Sequence, residues 1–177
     1  MPSRASSVPG KKAAPADVSE ESPETSTEVA QPSTPEFWLL KLLLLHEELV
    51  RWAAIHLNPE WVLHQTVREI VVRRIAALSQ ETWTNLAAFL DDFESAEAQS
   101  LITAATAEGR SIPDPERQIV DVAMRLRNQF LDRQLTALTQ RCNQPETSEE
   151  EKMQLLRQQQ QLRQLKRQAL TPFSPGD

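Results

Sequence analysis

The stretch that decides the fold reads PDPERQIVDVAMRLRNQFLDRQLTALTQRC at 113–142, NQPETS at 143–148 and EEEKMQLLRQQQQLRQLKRQAL at 149–170. Asp114 can cap a helix and Pro115 suits its first helical position. Neither Gly nor Pro then interrupts the run before Pro145. The pattern predicts one long helix over 114–142, a break at Asn143, Gln144 and Pro145, and a second helix returning alongside. Ile119, Val122, Leu126 and Phe130 form an early apolar stripe; Leu131, Leu135, Leu138 and Cys142 form a later one on another face, which implies a change of packing partner. The early half is expected to pack on what precedes it, the later half on the returning helix.

In that returning helix Leu155, Leu162 and Ala169 recur every seven residues with Leu165 between them. An antiparallel hairpin about the break would set Leu135 near Leu155 and Leu156, and Met124 near Leu165. Gln158 and Gln159 interrupt the seam. Burying a Leu contributes roughly 1.5–3 kcal/mol, whereas ordering a residue costs about 1.5 kcal/mol. A hairpin with one narrow seam is therefore marginal alone and is expected to lean on a bundle, a partner, or both.

The chain has 177 residues and a formal net charge of −6, enough for one domain and a tail. Three Gly, no Tyr and abundant Leu, Ala, Gln and Arg favour an all-α architecture: a multi-helix bundle, then a long helix and a terminal antiparallel hairpin. One cysteine provides no internal disulfide and fits a reducing compartment. The start lacks the apolar core of a signal peptide, and the apolar run Phe37 to Leu45 is too short to span a bilayer, so a cytoplasmic location is expected. The acidic balance argues against duplex DNA as the main ligand.

Residues 1–34 are rich in Pro, Ser, Thr, Ala and Glu and read as a disordered tail or linker. A bundle is expected over 35–126, the hairpin over 127–170, and a disordered end at 171–177. Ser33 and Glu36 have capping-box spacing around Pro35, and the run from Phe37 to His46 is apolar nearly all round, as in a central helix. Further helices are expected over Glu47 to His56, His64 to Leu78, from about Ser79 through Trp83 to Leu90, and over Ser95 to Ala107. Gly109 would close the last with a left-handed cap. Glu149, Glu150 and Glu151 open the returning helix and Arg163, Lys166 and Arg167 end it, which suits the helix dipole.

No catalytic constellation emerges, and no cofactor or metal is implied. His46, His56 and His64 lack the spacing of two ligands on one helical face. Asp91, Asp92 and Glu94 form an acidic corner without a nearby nucleophile, and no phosphate-binding Gly motif occurs. Arg157, Arg163, Lys166 and Arg167 could follow a nucleic-acid backbone, but no aromatic accompanies them for base stacking. Met153, and whichever of Leu155 and Leu156 faces outward, are candidates for a patch that meets a partner.

The order of elements resembles the C-terminal helicase-binding domain of the bacterial replicative primase, DnaG. The resemblance rests on Phe37 through Leu49 (FWLLKLLLLHEEL), Val67 to Ile70 (VREI), and the Glu-rich start and Leu155, Leu156, Leu162, Leu165 register of the terminal hairpin. It covers about Pro35 to Leu170. One departure is Glu47, where that family commonly places Pro after the His; this predicts a longer or softer joint. The resemblance implies that the hairpin docks on the N-terminal domains of a DnaB-type hexameric helicase and so couples priming to unwinding. Partner contact then falls on Leu131, Leu135 and Leu138 and on the Gln154 to Leu165 segment, with Gln158 and Gln159 on its face. The chain lacks the cysteines and length for a primase zinc module and polymerase core, so it would make no primer itself. It would serve either as part of a split primase, alongside its catalytic core, or as a free-standing adaptor. Two other readings remain: a helical protein that contacts nucleic acid through its basic last helix, and an adaptor that self-associates through the hairpin.

Overall fold

The computed structural model describes residues 31–174. The expected disorder over 1–34 falls, except for its last four residues, outside them, as do 175–177. The described residues form seven α-helices and one 3-10 turn, with no strand among them. The helices are α1 (Thr34–Leu45), α2 (Glu47–His56), α3 (Gln65–Ser79), α4 (Leu86–Asp91), α5 (Ala96–Ala107), α6 (Pro115–Cys142) and α7 (Glu149–Arg167); the 3-10 turn is Pro59–Trp61. The described residues are all-α, as the composition predicts.

Helix α1 lies at the centre, against α2, α3, α5 and α6. Its run of leucines has no polar face to offer water, so Leu39, Leu40, Leu42 and Leu43 are fully buried. Lys41 is buried among them at 1 % exposure. It is tolerated because its ammonium donates to the carbonyls of Glu108 (2.9 Å) and Arg110 (2.8 Å), lies 3.6 Å from the Glu108 carboxylate and sits over the Trp38 ring. Glu36 provides the second polar anchor. Its carboxylate completes the capping box with Ser33 and also accepts from the N–H groups of Leu63 (2.6 Å) and His64 (2.8 Å), joining the start of α1 to the start of α3.

The α1–α2 joint is not the lengthened one that was among the expectations without proline. A single residue, His46, leaves the helical region (φ −127°, ψ 101°), and α2 begins at once. Arg74 of α3 holds the joint: its Nε donates to Leu43 O at 3.2 Å, one of the last carbonyls of α1, and its guanidinium lies 3.5 Å from the centre of the Trp83 ring.

Two helix ends depart from the sequence expectation. The left-handed cap is at Glu81 (φ 56°), which terminates α3. There Thr82 N–H bonds to Ala77 O (3.0 Å) and Glu81 N–H to Leu78 O (3.2 Å), the paired bonds of a Schellman motif. Helix α5 instead ends on Glu108 in an extended conformation, because the carbonyls that follow are turned to Lys41. The fourth helix is also shorter than expected: residues 80–85 form a connection, Asn85 caps α4, and Trp83 lies outside any helix under Arg74.

Helix α6 changes partner along its length. Ile119, Val122, Ala123 and Leu126 belong to the bundle core, and Leu131 begins the face toward α7. Five residues of a helix turn through about 140° beyond one revolution, which is the displacement between the two stripes. After α7 the described chain does not trail away: of the end expected to be loose, the part within the described residues, 171–174, lies against the bundle. Gln168 O accepts from the buried Arg127 guanidinium, Thr171 O accepts from the Trp52 indole at 3.2 Å, and Leu170 and Phe173 pack on the core. This strap returns the far end of α7 to the bundle.

Candidate functional site

The hairpin of α6 and α7 is tied by polar pairs that reveal its register. Asp132 meets Lys166, Thr139 meets Gln159, and near the turn Arg141 meets Glu151 at 2.6 Å. Thr147, buried in the turn, donates to Arg141 O at 2.7 Å. These pairs set Leu135 level with Leu162 rather than with Leu155 and Leu156, a displacement of about two helical turns. Met124 correspondingly lies level with the strap, beyond Leu165. Two causes add. The connection runs from Asn143 to Ser148, longer than the break read from the sequence. Side chains also lean toward their own helix N-terminus, so an α6 residue meets one from further along α7.

With this register Leu131 and Leu155 are buried, and Leu135, Leu138 and Leu162 are half-buried along the seam. Gln159 is buried with them at 5 % exposure; its amide lies 3.4 Å from the Thr139 hydroxyl, a long and weak bond. Leu165, read from the sequence as a seam residue, is instead 46 % exposed, while Leu156 and Met153 are exposed at 51 % and 55 %. Of the adjacent leucines, Leu155 faces α6 and Leu156 faces outward. Gln154 and Gln158 are exposed. On one flank of the hairpin, Gln134, Ala137, Leu138, Arg141, Gln158, Gln161 and Leu162 line an open groove of about 490 Å³.

The four basic residues separate. Lys166 turns to Asp132 across the hairpin, whereas Arg157, Arg163 and Arg167 are exposed. Asp132, Arg141 and Thr147, which secure the hairpin, were not singled out from the sequence. Their types are common on solvated helices, and only a known register would have paired them.

The other candidates are scattered. His64 caps α3 and lies 3.5 Å from Glu97, His46 lies 3.3 Å from Glu48, and His56 packs on Trp52. Asp91, Asp92 and Glu94 are exposed, and it is the backbone carbonyl of Asp92 that accepts from Arg73. Among the described residues no three His, Cys, Asp or Glu side chains gather where a metal could sit, and no helix is long and apolar enough to cross a membrane. What the arrangement offers is a helical hairpin with apolar side chains left uncovered near its turn. No family model, curated protein or solved structure matches the chain.

Proposed function

We propose that the chain is a protein-docking module of the replicative-primase type, which binds a DnaB-type helicase through the α6–α7 hairpin and couples priming to unwinding in DNA replication. The observation that carries this reading is the pair Met153 and Leu156, three residues apart on one face of α7 and each more than half exposed beside the turn. Water contact with two large apolar side chains on a short helical stretch is unfavourable, and covering them by a partner would recover that free energy. The chain makes no primer by itself; template-dependent ribonucleotide incorporation by the purified chain would overturn that part.

The test is mass-resolved chromatography of the chain with the replicative helicase of the same organism at micromolar concentration. Co-migration is expected, and Met153→Glu with Leu156→Glu should abolish it while leaving the circular dichroism unchanged, since both side chains already face solvent. Absence of co-migration by the unaltered chain would sink the reading.

A further inference from the structure

The outer face of α7 carries more than its apolar pair. At about 100° per residue, Met153, Leu156, Arg157, Gln160, Arg163 and Arg167 fall within one stripe, opposite the Leu155, Gln159 and Leu162 face that meets α6. The stripe is about 21 Å long and is ordered by chemistry: apolar near the turn, basic toward the bundle. Among the described residues, Arg157, Arg163 and Arg167 have no carboxylate or carbonyl partner, whereas the nearby Lys152, Lys166 and Arg141 are each engaged with an acidic side chain of the hairpin itself. Lys152, Lys166 and Arg141 are thus paired within the hairpin, although they too reach solvent, while the row of three arginines along the outer face of α7 is left without an acidic partner among the described residues.

We infer that this stripe docks an acidic amphipathic helix, whose apolar residues cover Met153 and Leu156 while carboxylates further along meet Arg157, Arg163 and Arg167. This deepens the docking reading above and rests on it. Arginine suits the role because its guanidinium can grip a carboxylate with two parallel hydrogen bonds. The separation of apolar and basic ends would also fix the direction in which the partner helix lies. A nucleic-acid backbone fits less well: the same helix begins with Glu149, Glu150 and Glu151, and the whole chain is acidic. A second copy of α7 laid antiparallel would bring its own arginines over Met153, where an apolar residue is wanted.

The experiment is calorimetric titration of the full chain with the helicase at low (about 50 mM) and high (about 500 mM) salt. It compares the unaltered chain, Met153→Ala with Leu156→Ala, and Arg157→Glu with Arg163→Glu and Arg167→Glu. The charge-reversed chain should bind at least about tenfold more weakly at low salt, and the unaltered chain should lose a similar factor at high salt. The apolar variant should be weak at both. If charge reversal leaves affinity unchanged while the apolar variant fails, docking stands and the acidic partner is overturned. If the unaltered chain binds at neither salt, the docking reading falls and this inference with it. Two controls can also overturn it: micromolar binding of a short oligothymidylate that charge reversal abolishes, or a concentration-dependent dimer that charge reversal dissolves. The first would make the row a phosphate site, the second a contact between copies of this chain.

Discussion

Glu36 accepts four hydrogen bonds, from the N–H and hydroxyl of Ser33 and from the N–H groups of Leu63 and His64, and it is 4 % exposed. Burial alone would raise its pKa. The donors from His64, Ser33 and Leu63 outweigh that effect and hold the carboxyl below its ordinary value. The unfolded chain therefore takes up this proton at higher pH than the folded one. The stabilisation is complete above about pH 5, declines as pH falls through the lowered folded value, and is absent below it. Glu36→Gln cannot serve all these donors, so a loss of about 1–3 kcal/mol at neutral pH is expected. Urea midpoints between about pH 3 and pH 7 should show a shallower acid decline for the variant than for the unaltered chain. Parallel declines would remove Glu36 from the account. Half of its role was legible: the Ser33 and Glu36 spacing announced the cap, but nothing in the sequence announced the bonds to Leu63 and Leu63's neighbour His64, which depend on the fold.

At the scale of the element, the sequence was most readable where one side-chain pattern suffices. The long α6, with Asp114 as its cap and two displaced stripes, follows from local rules. Readings failed where a distant group intervened. Gly109 looked like a left-handed cap, but Lys41 holds the carbonyls on either side of it. Glu81 gives no such signal and adopts the left-handed conformation nonetheless, because the Schellman bonds and the packing of Trp83 beyond it require the chain to turn there. For a residue with a Cβ that conformation costs about 1–2 kcal/mol. Glu81→Gly should therefore raise stability by roughly 1 kcal/mol, seen as a higher urea midpoint at unchanged slope. A lower midpoint would mean that the Glu81 side chain compensates for its backbone. The hairpin seam shows the same division. Its existence is legible, whereas its register depends on the direction in which side chains lean and on pairs such as Asp132 with Lys166.

At the scale of the whole molecule, the strap decides how the hairpin stands on the bundle. Ending the chain at Ala169 would remove Leu170, Phe173 and the Thr171 carbonyl that receives the Trp52 indole. Losing two partly buried apolar side chains should cost about 2 kcal/mol, a fall in Tm of roughly 4–8 °C. Amide exchange should quicken in α2 around Trp52 and at the base of α6, with little change at the turn. Unaltered exchange in α2 would mean that the strap merely lies on the surface. This feature was not legible, since Phe173 stands among Pro, Ser and Gly in a stretch that reads as an end, and Leu170 reads as the last residue of the hairpin. The strap also gives the hairpin two footings on one base, α6 through its bundle-facing stripe and α7 through its tail. A stalk on one footing can swivel about its own axis. One on two footings resists that twist, so the outer stripe of α7 holds a set facing relative to the bundle as well as a set position.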